Sequence, residues 1–363
     1  MKINGKPYRT IWVAADGWSV EVIDQTKLPH KLEIVALKSA DDAAKAIKQM
    51  IVRGAPLIGA TAAYGLAMAL RADSSDESLE AACAMLAETR PTAINLRWAL
   101  NEVASAVRNR PRDERVAAAY ARASEICEED VETCRRIGEN GLPLIEEIAA
   151  KKGKVNLLTH CNAGWLGCVD WGTALAPIYM AYDKGIDIHV WVDETRPRNQ
   201  GASLSAFELS GHGVKHTIIP DNAGGHLMQD GQVDICIVGT DRVTANGDVA
   251  NKIGTYLKAL AAKDNDVPFH VALPHTTIDW TMPKGVGVIP IEERSADEVL
   301  KMTGRLPDGG LATVEIANPG STAANPGFDV TPARLVTGFI TERGRSAASE
   351  EGLLSLYPER RPK

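Results

Sequence analysis

The sequence predicts a mixed α/β fold: a small β meander, then a mainly helical N-terminal region, then an open parallel sheet with helices on its faces. Three observations carry this. Residues 8–37 hold short β-rich runs punctuated by Gly and Pro; Ser39 to about Lys152 shows apolar residues at helical spacing; and from there short β-rich runs alternate with helical segments.

The meander reads as "RTIWVA", "WSVEVID" and "KLEIVAL". "SADDAAKAIKQMIV" opens on Ser39 and acidic residues suited to a helix N-terminus. "GAPLIGATAAYGLAMAL" is apolar almost throughout, but it is of marginal spanning length, rich in Gly and bracketed by Arg53 and Arg71, so it reads as a buried helix. "DERVAAAYARASEICEEDVETCRRIGENG" is a long helix expected to end near Gly138 and Gly141. Lys-Lys-Gly at 151–153 marks the expected boundary between domains 1–150 and 151–363. Strands then follow in "KVNLLTH", "DIHVWVDE", "VKHTIIP", "VDICIVG" and "PFHVALP", with helical segments between them. The tail "YPERRPK" reads as frayed.

Composition narrows the function. With 45% hydrophobic and 24% charged residues among 363, the chain has ample material for a core. A formal net charge of −7 argues against broad nucleic-acid or membrane-surface binding, leaving room for a local basic pocket. The N-terminus lacks the apolar core of a signal peptide, and six scattered cysteines without a Cys-x-x-Cys pair read as reduced thiols of a cytoplasmic protein.

Ligands of open parallel sheets sit beyond the carboxyl ends of the strands. Four polar loops fall there: "LLTHCNAGWLG" with His160, Cys161 and Asn162; "VWVDETRPRNQGA" with Asp193, Glu194, Arg196 and Gln200; "IVGTDRVTANGD" with Asp241; and "VALPHTTID" with His275 and Asp279. Singly, each has an ordinary structural explanation: a helix cap, a buried thiol, a solvated turn. Four at one edge point to a site. Neither G-x-G-x-x-G nor G-x-x-x-x-G-K-[ST] occurs, which argues against dinucleotide and P-loop chemistry. The lack of H-E-x-x-H or a Cys-His cluster argues against a metal centre. Arg53, Arg196, Lys252 and helix N-termini are suited to a phosphate. The residues alone therefore give a small anionic substrate and acid–base chemistry in a cleft.

Taken together, "RGAPLIGATAAYG", "RPTAINLRWA", "THCNAG", "VDETRPRNQGASLSAFEL", "GTDRVTANGDVANKIGTY", "PIEER" and "FDVTPARLVTGFITERG" resemble the methylthioribose-1-phosphate isomerase family of methionine salvage. The resemblance implies a Rossmann-like C-terminal domain, a homodimer, no cofactor, and conversion of an aldose 1-phosphate to a ketose 1-phosphate. By motif position it makes Asp241 and Cys161 the catalytic pair. Arg53, Gly54 and Ala55 become the phosphate-side loop, with Arg90, Gln200, Asn251 and Lys252 as further substrate contacts. Because phosphate blocks the anomeric oxygen, an acid must open the ring, and Asp241 is the candidate. Cys161 then serves C2-to-C1 hydrogen transfer, as a base kept anionic by nearby positive charge or by shaping a hydride shift. Asn251 and Lys252 are expected on a helix beginning near Asp248. Trp165, Trp171, Thr240 and His275 depart from the family pattern and bear on pocket size. Two alternatives are another sugar, 5-deoxyribose 1-phosphate or ribose 1,5-bisphosphate, and a non-catalytic regulatory subunit of the same fold.

Overall fold

The computed structural model describes residues 1–3, 5–90 and 93–361. Strands β1 (Lys2–Ile3) and β2 (Lys6–Pro7) form a short hairpin. The expected meander follows as an antiparallel sheet of β3 (Ile11–Val13), β4 (Val20–Ile23) and β5 (Ile34–Leu37). Helix α1 (Ala40–Lys48) starts where Ser39 accepts the Asp42 N–H.

Next come α2 (Ala55–Ala72), α3 (Asp76–Ala87), α4 (Ile94–Val107) and α5 (Arg112–Lys152). Pro56 stands in the first turn of α2, where a missing N–H is harmless. Most of α2 is buried, which explains its nearly uniform apolar sequence.

Helix α5 does not stop at its glycines, as the sequence reading had it, but runs past Pro143 to Lys152. The glycines serve packing instead. A Cβ on Gly138 would lie 2.7 Å from Met180 Cε, and one on Gly141 would lie 3.0 Å from Pro177. Both neighbours belong to α6 (Ala176–Asp183), which crosses close to α5 there.

From Gly153 the chain enters β6 (Lys154–Thr159), then α6 and β7 (Asp187–Asp193). Helix α7 (Ala206–His212), β8 (His216–Ile219), α8 (Ala223–Gln229) and β9 (Ile235–Val238) continue the alternation. A hairpin of β10 (Arg242–Thr244) and β11 (Val249–Lys252) interrupts it before α9 (Thr255–Asp264) and β12 (Phe269–Ala272). Strand β13 (Ile278–Asp279), the short helix α10 (Asp297–Leu300) and the hairpin β14 (Lys301–Arg305)–β15 (Leu311–Glu315) follow. The chain closes with β16 (Phe328–Thr331), β17 (Gly338–Thr341), β18 (Gly344–Ser346) and α11 (Glu350–Leu356).

The main sheet has the order β18-β17-β12-β9-β6-β7-β8 and is parallel except for the β17–β18 edge pair. The mixed α/β architecture is therefore as expected. A smaller sheet, β13-β10-β11-β16, was not foreseen. It places Asn251 and Lys252 on a strand rather than on a helix beginning near Asp248. β11 is buried along its whole length and pairs with both β10 and β16, and this pairing outweighs the helical look of "VANKIGTYLKAL".

The tail also differs from expectation. Tyr357 is buried, its ring edge-on to Trp280 with the Arg343 guanidinium above it, and Pro358–Arg360 form one helical turn. The last two tail residues, and Pro91 and Thr92 of "RPTAINLRWA", lie outside the described residues.

Candidate active site

The site collects at the carboxyl end of the main sheet. Cys161 follows β6 in the left-handed region, with φ +64°. That conformation is uncommon for a residue with a side chain, and hydrogen bonds pin it from both sides. Its N–H donates to Thr195 Oγ1 at 2.8 Å, and its carbonyl accepts from Ser205 Oγ at 2.7 Å.

Asn162 carries Arg53: the guanidinium donates to Asn162 Oδ1 at 2.5 Å and to its carbonyl at 2.8 Å. Gly54, at φ +90°, lies so close to Gly167 that an added Cβ would be 2.2 Å from its oxygen. This contact sets the N-terminus of α2 against the Cys161 loop. Asp241 follows β9, and its N–H donates to the Ala250 carbonyl at 3.0 Å, tying it to the β10–β11 hairpin.

One cavity is lined by Arg53, Gly54, Ala55, Cys161, Asp241 and Asn251, among others. A second, mostly apolar recess shares Ala55 and Asp241 with it and runs on past Ile58, Ala93, Ile289 and Phe328. Arg90 borders this recess and pairs with Glu292 at 3.3 Å. Gln200 lines a third cavity on the other side of Arg53, and its buried Oε1 has no hydrogen-bond partner. Lys252 is buried behind the site, donating to the Gly327 carbonyl at 2.9 Å with Nζ 4.5 Å from the centre of the Phe328 ring.

Burial dominates the electrostatics. It pushes the Cys161 thiol above its ordinary value, although Arg53 and Lys252 pull the other way. The cations that were expected to keep this sulfur anionic are present, yet desolvation outweighs them. Burial likewise lowers the Lys252 ammonium, against the opposing pull of Cys161 and Asp241.

Other candidates fall elsewhere. Arg196 spends its guanidinium on the carbonyls of Pro197 and Val299, at 2.8 and 2.9 Å, so it does not face the cavity as a phosphate ligand. His275 is exposed and sits against Glu342, while Asp279 faces Arg242 at 3.5 Å. Trp165 is a core residue at 1% exposure. His160 is buried beneath the loop, with Nδ1 2.8 Å from Asp193 and Nε2 2.8 Å from the Ile253 carbonyl.

Three residues that matter for the site were missed in the sequence. Glu208 on α7 accepts from Asn162 Nδ2, the Trp165 and Leu166 N–H groups and the Tyr179 hydroxyl, and so organises the Cys161 loop from below. Its signal was one acid inside the apolar run "SLSAFELSG". Ser205 fixes the Cys161 carbonyl. Lys258, on α9, reaches Asp193 at 3.2 Å. His160, Asp193 and Asp221 could together face a metal, but the Lys258 ammonium already supplies a cation there. A second such group, Asp130, Cys134 and Cys168, reaches the cleft only through Cys168.

Fold and site together define a member of the initiation factor 2 subunit family, whose profile matches residues 51–347. Within it, the chain belongs to the methylthioribose-1-phosphate isomerases. It is 66% identical over 362 residues to the methylthioribose-1-phosphate isomerase of Methylorubrum populi, covering 99% of both chains. The crystal structure of 5-methylthioribose 1-phosphate isomerase from Pyrococcus horikoshii OT3 superposes with a TM-score of 0.84 at 40% identity, covering 98% of this chain and 97% of that one. A structure from A. fulgidus described as translation initiation factor eIF-2B, subunit delta, gives a TM-score of 0.80 at 37% identity, covering 97% and 100%. The chain is an enzyme, an isomerase. Among the described residues no helix is long and apolar enough to cross a membrane.

Proposed function

We propose that this enzyme converts 5-methylthioribose 1-phosphate to 5-methylthioribulose 1-phosphate in methionine salvage. The observation that carries the reading is the single cavity shared by Cys161, Asp241, Arg53 and the N-terminus of α2, with an apolar recess leading off beside Asp241. In this reading the 1-phosphate lies against Arg53, Gly54 and Ala55, where free backbone N–H groups and the helix dipole favour an anion. Asp241 protonates the ring oxygen, the ring-oxygen bond to C1 breaks, hydrogen passes from C2 to C1, and the C2 hydroxyl gives up its proton as the ketone forms, which restores the acid. Asn251 contacts the sugar and Arg90 borders the recess, while Gln200 acts from the far side of Arg53 and Lys252 from behind Phe328.

The 5-substituent enters the recess. Its apolar wall suits a methylthio or deoxy group better than a second phosphate. The two guanidiniums at its rim, Arg90 and Arg242, already face Glu292 and Asp279.

A buried thiol held neutral is a poor base, and a phosphate dianion would offset Arg53 and Lys252 further. Both points favour a hydride shift, with Cys161 shaping the site rather than removing the C2 proton. Domains 1–150 and 151–363, a cytoplasmic location and a homodimer complete the reading.

Phosphorus and proton NMR test it, with 2-deuterated 5-methylthioribose 1-phosphate, 5-deoxyribose 1-phosphate in parallel and no added cofactor. The expected product is a ketose that keeps its phosphate and carries the deuterium at C1. Wash-out of the label into water would restore Cys161 as the base. Asp241→Asn should stay folded and lose at least 10³-fold in turnover, an order of magnitude within the usual range for general acids. An active variant removes Asp241 from its role. If wild-type protein leaves both sugars unchanged, the reading gives way to a binding subunit of the same fold.

A further inference from the structure

Away from the cleft, helix α5 carries Asp130 and Cys134 one turn apart and therefore on one face. The loop that follows the Cys161 segment brings Cys168 to meet them. Cys134 Sγ lies 3.8 Å from Asp130 Oδ1, and the three potential ligand atoms are all within 4.8 Å of one another. Both cysteines are free and fully or nearly fully buried. Asp130 Oδ2 accepts the Val169 N–H at 2.7 Å, while Oδ1 has only the Cys134 thiol. Among the described residues no Lys, Arg or His forms an ion pair with Asp130.

We propose that Asp130, Cys134 and Cys168 form a binding site for one thiophilic divalent cation of the zinc type. Its role would be to fasten α5 to the wall of the catalytic cleft.

Three lines of argument support the site. The first is spacing. Tetrahedral zinc with bonds of about 2.3 Å to sulfur and about 2.1 Å to oxygen separates its ligands by roughly 3.6 Å. Asp130 and Cys134 already stand at that separation, and Cys168 needs to close by only about 1 Å.

The second is charge. A desolvated carboxyl beside two thiols is costly unless something positive compensates it. Asp130 is part-buried and both thiols are buried, and among the described residues no cationic side chain forms an ion pair with the carboxyl. A divalent cation would displace the two thiol protons and gain three ligands.

The third is access. A cavity of about 40 Å³ borders Asp130, Glu129 and Thr133, room for a water beside the carboxyl. Buried away from solvent, these thiols are poorly reached by oxidants, which disfavours a disulfide switch.

The position of Cys168 gives the ion its consequence. Cys168 and Gly167 line the cavity with Cys161, and Gly167 packs under Gly54 and Arg53. An ion held there would brace the phosphate side of the cleft without touching substrate.

The test is a cobalt(II) titration of reduced, chelator-treated full-length protein. One equivalent should bind, giving the thiolate-to-cobalt charge-transfer band and the visible bands of a tetrahedral ion, and zinc should displace it. Cys134→Ser and Cys168→Ser should each abolish the bands. Asp130→Asn should weaken binding at least tenfold, while Cys83→Ser and Cys161→Ser should leave the bands intact.

X-ray absorption of the zinc-loaded wild type keeps the idea testable if a variant misfolds, since two sulfurs near 2.3 Å are expected. Failure to take up one equivalent, a shell with fewer than two sulfurs, or bands that vanish only with Cys161→Ser would each overturn the site. So would a Cys134–Cys168 disulfide that forms in air in place of cobalt uptake.

Discussion

Glu208 shows how much of the site depends on a residue that never faces the ligand. Its Oε1 receives Asn162 and the Leu166 N–H at 2.8 and 3.0 Å, and its Oε2 receives the Trp165 N–H and Tyr179 at 2.9 and 2.7 Å. Donors on every side call for a carboxylate, even though burial pushes this group upward. Glu208→Gln keeps the shape but points an amide N–H₂ at donors, leaving one or two of them unpaired. About 2–3 kcal/mol of stability should go. For a chain of 363 residues losing about 2.1 cal/mol/K each, that lowers Tm by about 3–4 °C. The freed Asn162 should also loosen Arg53, raising KM more than it lowers kcat. An unchanged melt and KM would mean the loop holds itself.

Cys161 and Asp241 were visible as candidates because thiol and charged groups at strand ends stand out against apolar runs, and Arg53 because it brackets the apolar helix α2. It missed Glu208 because a single acid in a helix resembles a surface position until its neighbours across the fold are known. Arg196 erred in the opposite direction: its charge was visible, but the backbone carbonyls that occupy it were not.

Strand β12 shows how a titratable group can be locked into an element. It lies between β9 and β17 in the main sheet and carries His270, buried, with Nδ1 unpartnered. Burial, aided by Arg345, lowers its pKa to about 4 against the contribution of Gly338. Above about pH 6.5 the imidazole is neutral in folded and unfolded chains alike. Between there and about 4 the unfolded chain binds a proton that the folded chain refuses, so stability falls as pH falls. Urea unfolding at pH 7 and pH 4.5 should show wild type losing about 2–3 kcal/mol more than His270→Gln. Equal losses would remove His270 as a source of acid sensitivity. At this scale β6, β7, β8, β9 and β12 were legible, because each is a short apolar run bounded by turn residues, though the parallel strand β17 went unread. β11 was not. "VANK" has no period long enough to separate strand from helix, and its pairing partner β16 lies about 80 positions along the chain.

At the scale of the molecule, helix α5 is the feature that decides how the halves respond to a ligand. Ile126 and Cys127 belong to the core of the helices and meander, while Ile137, Leu142 and Ile145 belong to the core beneath the parallel sheet. One continuous helix therefore crosses both cores. The candidate site spans the same division, with Arg53–Ala55 from the helical side and Cys161, Asp241 and Asn251 from the sheet side. The strand–helix alternation announced the architecture, but this continuity was hidden by glycines that looked like a helix end. A ligand that bridges the site should consequently stabilise the whole chain rather than one part. At 100 times its Kd, the equilibrium mixture of substrate and product adds about 2.7 kcal/mol. Spread over the unfolding entropy of 363 residues at about 2.1 cal/mol/K each, this raises a single calorimetric transition by about 3–4 °C. Arg53→Ala, which removes the link between α2 and Asn162, should abolish most of the shift. Two resolved transitions, of which the ligand moves only one, would show that the halves melt independently and that α5 does not couple them.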